Sequence, residues 1–78
     1  MRRFQDRSGI EWDVVLGRES WGSNVALFVP PTASSLDVRQ APLRASAYDA
    51  AVREIEELDD AALEALFDRS IKKQEGLQ

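Results

Sequence analysis

Apolar and polar positions alternate most sharply over Ile10–Leu16, with Ile10, Trp12, Val14 and Leu16 on one side and Glu11 and Asp13 on the other. A period of two describes a strand with one covered face. Phe4 belongs to an earlier extended segment. Asp6-Arg7-Ser8-Gly9 reads as the turn between them, with glycine where a positive φ costs least. Val25–Val29 is apolar almost throughout, as in a strand covered on both faces, and Pro30-Pro31 stops it because proline cannot donate to a ladder. Gly17–Asn24 between these strands reads as a loop bracketed by glycines. Leu36–Gln40 alternates weakly and reads as either loop or a short edge strand ending at Pro42.

From Ser46 the period becomes helical. Tyr48, Ala51, Val52, Ile55 and Leu58 form one stripe, with Asp49, Arg53, Glu54, Glu56 and Glu57 on the remainder. Ser46 and Asp49 resemble a capping box. Asp59 is expected to cap a second helix, with Leu58 and Leu63 as its hydrophobic staple. That helix should turn Leu63, Leu66, Phe67 and Ile71 inward and place Arg69, Lys72 and Lys73 at its negative C-terminal end.

The predicted fold class is α+β: a small antiparallel sheet of three to four strands followed by two C-terminal helices packed on one face. A single domain over residues 1–78 divides into a hairpin or meander part (1–30), a connecting loop or edge strand (31–44), a helical pair (45–73) and a frayed tail (74–78). Trp12, Leu27, Ile55 and Leu66 are expected to meet in its core. Val25–Val29 is apolar on both faces, yet one helical layer covers only one of them. A homodimer that buries the second face or pairs an edge strand is the expectation.

Composition narrows the chemistry. The 78 residues contain no histidine and no cysteine, which removes the usual neutral-pH proton shuttle, the thiolate nucleophile and the commonest transition-metal ligands. Glu11 and Asp13 pair carboxylates on one strand face, but the pattern turns that face to water, which makes them surface charges rather than an acid/base pair. Asp59 and Asp60 are explained by capping. Glu56, Glu57, Asp59 and Asp60 could suggest magnesium, but no phosphate cradle or repeating oxygen-ligand loop accompanies them. The reading is therefore a non-enzyme without cofactor or metal. The amino-terminal residues are charged and lack a following apolar run, and Val25–Pro31 is too short to span a bilayer, so a cytoplasmic protein without membrane contact is expected.

Net charge is −4, unevenly spread: residues 49–68 carry eight acids and one base, Arg53. An acidic helical face bearing Glu56, Glu57 and Asp60 is one candidate docking surface for a protein partner. The other is the loop Arg18-Glu19-Ser20-Trp21. There Trp21 is either a lid folded onto the sheet edge or an exposed anchor of the kind enriched at binding hot spots. The function read from these features is a small non-catalytic interaction or regulatory module. One alternative is a nucleic-acid-binding accessory protein, with Arg2, Arg3, Arg7 and Arg18 clustered beside Phe4, Trp12 and Trp21. Another is an inhibitor whose acidic helices mimic a phosphate surface.

Overall fold

A computed structural model describes residues 2–19 and 22–73; Met1, Ser20, Trp21 and residues 74–78 lie outside the described residues. The chain forms β1 (Arg2–Gln5), β2 (Glu11–Arg18), β3 (Asn24–Val29), β4 (Arg39–Pro42), α1 (Tyr48–Glu57), α2 (Asp60–Asp68) and β5 (Ile71–Lys72). All five strands pair antiparallel in the order β1-β2-β3-β4-β5. Both helices cover one face of this meander. The α+β class and its helical layer are as the sequence predicts, but the sheet has one strand more than the upper expectation.

Register decides which side chains meet the helices. Phe4 lies opposite Trp12, Val14 opposite Phe28, and Leu16 opposite Ala26, itself opposite Ala41. Directly opposed residues share a face. Those residues form one cluster with Ile55 of α1 and Leu63 and Leu66 of α2, with Leu58 and Phe67 packed against it. Trp12, Ile55 and Leu66 are buried there as expected. Leu27 is not: one position from Phe28, it faces the other side of the sheet. A run with no polar member carries no parity signal, so pairing with β2 set its phase.

Gly17 belongs to β2 rather than to a loop. An added Cβ there would stand 2.6 Å from Leu27 Cδ1, so the missing side chain lets Leu27 lie across the strand. The β1–β2 turn is organised by Asp6. Its Oδ1 accepts from the N–H groups of Ser8 (2.9 Å) and Ile10 (3.0 Å), and its Oδ2 from Trp12 Nε1 (2.9 Å). Gly9 closes the turn at φ +89°.

Partial burial works against the Asp6 charge, but the hydrogen bonds from Trp12, Ile10 and Ser8 outweigh it and hold the carboxyl below its ordinary range. A carboxylate depressed on folding stabilises above its unfolded pKa, and that contribution fades as pH falls through the folded value. Stability is therefore expected to decline below about pH 4, and Asp6→Asn to flatten that decline. Melting curves across the acid range check this. Parallel loss in both proteins would show that Asp6 contributes nothing.

The helices depart from expectation at their ends. Asp59 caps α2, accepting from the Ala62 N–H at 2.8 Å. The N-cap of α1 is Ala47, with no side-chain hydrogen bond, so the Ser46–Asp49 box does not form. Glu54 serves that entry instead, its carboxylate accepting from the N–H groups of Arg44 and Ala45 at 3.0–3.1 Å. Asn24, buried in β3, donates through Nδ2 to the carbonyls of Ala45 and Ser46. Tyr48 and Val52, assigned to the buried stripe by spacing, are exposed by 61% and 37%.

β4 starts at Arg39, not Leu36, and is not an edge, because β5 pairs outside it. α2 stops at Asp68, so Arg69 is its C-cap and Lys72 lies in β5. Ile71, expected inside, is 55% exposed. Arg39 holds this end: Nε donates to Ser70 Oγ (2.7 Å), Nη2 to the Ser70 carbonyl (2.6 Å), and the guanidinium lies 5.6 Å over the Phe67 ring. That buried anchor draws the chain out of the helix and against β4.

Candidate functional site

The sheet face opposite the helices is bare of any second layer among the described residues. Across it, Val15 of β2, Leu27 of β3, Gln40 of β4 and Ile71 of β5 stand in one row, with Asp13 and Val29 on one side and Gly17, Val25 and Pro42 on the other. Val15, Leu27 and Val29 are half-buried, while Pro42 and Ile71 are exposed. Arg3 reaches along the β2 flank to Glu11 (3.6 Å) and Asp13 (3.4 Å). Glu19 Oε2 accepts from Gln40 Nε2 at 2.9 Å. Past β5, the Lys73 N–H donates to the Val38 carbonyl at 2.8 Å and its exposed side chain marks the opposite flank. The result is an aliphatic band interrupted by Gln40, with the Arg3–Glu11–Asp13 ion cluster on one border and Lys73 on the other.

The four N-terminal-half arginines do not gather into one patch. Arg2 lies on the helical side, where Nη1 donates to the Ile55 and Glu56 carbonyls at 3.1 Å and Nη2 reaches Asp60 Oδ1 at 3.4 Å. It satisfies carbonyls that the end of α1 leaves open. Arg7 pairs with Glu64 (2.7 Å) and Asp68 (3.0 Å) of α2. Arg3 points to the opposite sheet face, and Arg18 is exposed at the far end of β2. Phe4 and Trp12, proposed as stacking partners for bases, are core residues exposed by 6% and 4%. Stacking on an unpaired base needs an open aromatic face, which neither presents.

Of the loop candidates, Arg18 is exposed, and Glu19 is occupied in closing the β2–β3 connection through its N–H to the Ser23 carbonyl and its carboxylate to Gln40. Trp21, as lid or anchor, lies outside the described residues. Glu56 and Glu57 are exposed on α1, and Asp60 begins α2 beside them. These three therefore share one border of the helical layer, remote from Arg18. Among the described residues, no group of three or more acids is arranged to hold a metal ion, and no helix is long and apolar enough to cross a membrane.

The second side of Val25–Val29 was expected to need a cover, but Val15, Pro42 and Ile71 were not placed beside it by the sequence. One signal was available, since Val15 breaks the alternation of β2 by putting an apolar side chain on the face of Glu11 and Asp13. In comparison with known proteins, no family model, curated protein sequence or solved structure matches the chain.

Proposed function

We propose that the chain is a small non-catalytic protein-interaction module, built to self-associate through the bare face of its sheet, with the cytoplasm as its setting. The observation that carries this reading is the aliphatic band of half-buried Val15, Leu27 and Val29 with exposed Ile71 and Pro42, on a sheet that among the described residues is layered on its other side only. Packing against a second sheet of the same kind gives a two-layer aliphatic core about 10 Å thick. A second copy suits the charge pattern. A two-fold axis along the strands stacks the β1–β2 flank of one copy on the β5 flank of the other, bringing the Arg3–Glu11–Asp13 cluster, with two acids to one base, to Lys73. Such an interface is isologous and closes at two subunits. Both helical layers then face outward and present Glu56, Glu57 and Asp60 to a basic protein partner.

Ile71→Asp places a charge at an exposed position outside the core cluster. It is expected to weaken self-association by at least about tenfold while leaving the monomer's melting temperature nearly unchanged. Sedimentation equilibrium on both proteins reads the effect. An unchanged association constant would overturn the assignment of this face.

A further inference from the structure

β2 is eight residues long and β1 only four. The described part of β1 reaches Val14, so Leu16, Gly17 and Arg18 pair on one side only, with Ala26, Val25 and Asn24 of β3. Among the described residues their other side has no strand partner and forms a sheet edge. α1 lies along that edge. Its last turn is held at the Val14 end, where Arg2 donates to the Ile55 and Glu56 carbonyls. Its entry is held at the Arg18 end, where Asn24 ties down Ala45 and Ser46. Val52 and Ile55 therefore come to the edge beside Val14 and Leu16.

Between strand and helix lies a recess of about 230 Å³ lined by Val14, Val15, Leu16, Val52, Ile55 and Glu56. Val14 and Leu16 point to one face of the sheet and Val15 to the other. A recess that touches all three opens at the strand's edge. Exposed Val52 forms its outer wall, which accounts for one apolar residue that holds the spacing of a buried stripe yet meets solvent.

We propose that this half-edge is a strand-addition site for an extended peptide. The peptide pairs antiparallel with Leu16–Arg18, in line with β1. Its residue opposite Leu16 shares the helical face of the sheet and enters the recess beside Val52, so it is apolar. Two positions earlier in the peptide, the residue opposite Arg18 lies beside a guanidinium that has no ion-pair partner among the described residues, so it is acidic. Main-chain hydrogen bonds supply affinity, and the acid-x-apolar spacing supplies selectivity. The site meets the bare sheet face at Val15 but is entered from the strand's edge, and it needs no second copy.

The test is fluorescence anisotropy with a labelled synthetic peptide of sequence Thr-Val-Thr-Asp-Val-Leu, amidated at its C-terminus so that it ends opposite Leu16 and clears Arg2 opposite Val14, titrated with the full chain. Saturable binding is expected, weakened about tenfold by Val52→Lys with the melting temperature retained. Arg18→Glu should weaken it about fivefold, and a peptide with lysine in place of aspartate should recover that loss. Two peptides N-methylated at adjacent residues separate strand pairing from mere apolar contact. Only alternate amides donate to one neighbour, so one should lose binding and the other keep it. No saturation below about 1 mM, equal effects of both methylations, or insensitivity to Val52→Lys would each overturn the proposal.

Discussion

Phe28→Ala is expected to destabilise the domain by about 3–5 kcal/mol, a large share of the stability of a chain this size. Phe28 has no exposed surface and lies at the centre of the cluster. Its ring centroid is 5.9 Å from that of Phe4 and 5.1 Å from that of Phe67, both edge-on at 67° and 76°. Truncation removes the ring's own burial and two favourable aromatic contacts, and a closed core has little freedom to refill the space. Chemical denaturation measures the loss. A value below about 1 kcal/mol would mean that β3 turns its other side to the helices, with Leu27 inward.

Leu66→Ala is the second large effect, expected at about 2–3 kcal/mol, in the lower part of the range for such truncations. Leu66 is 4% exposed and locks α2 onto the shared core, yet it also borders an open cleft with Leu58, Ala62 and Ala65. A site at the margin of the core relaxes or admits water more easily than one at its centre, which reduces the cavity penalty. Thermal melts of the two variants side by side check the order. Leu66→Ala costing more than Phe28→Ala would place the centre of the core between the helices rather than on the sheet.

Where the sequence had a two-way alternation, it predicted the structure: Trp12, Val14 and Leu16 meet the helices, and Glu11 and Asp13 do not. Where a segment was uniformly apolar, it could not. Val25–Val29 contains nothing polar to mark a face, and the choice of Phe28 over Leu27 came from pairing with Val14 and from the room at Gly17. The end of α2 was misread for a related reason. Phe67 and Ile71 have helical spacing, but the contact of Arg39 with Ser70 is a long-range interaction that no local window contains. Tyr48 and Val52 show the limit of periodicity itself: a stripe specifies which residues lie together, not whether anything covers them. The candidate site was legible only in part, because the partial exposure of Val15 and Val29 and the exposure of Ile71 follow from there being no second layer among the described residues. Asp59, by contrast, needed only its own neighbours and was read correctly as a cap.

In the proposed dimer a second copy closes the bare sheet face, and the mass of the unmodified chain in solution reads this closure. Light scattering across low to high micromolar concentrations should rise from the 8.7 kDa of one chain to a plateau near twice that mass, on the order of 17 kDa, as a closed two-fold dimer requires. A mass that stays at one chain at the highest concentration, with the protein folded, would contradict the claim. So would a mass that climbs past two chains without a plateau.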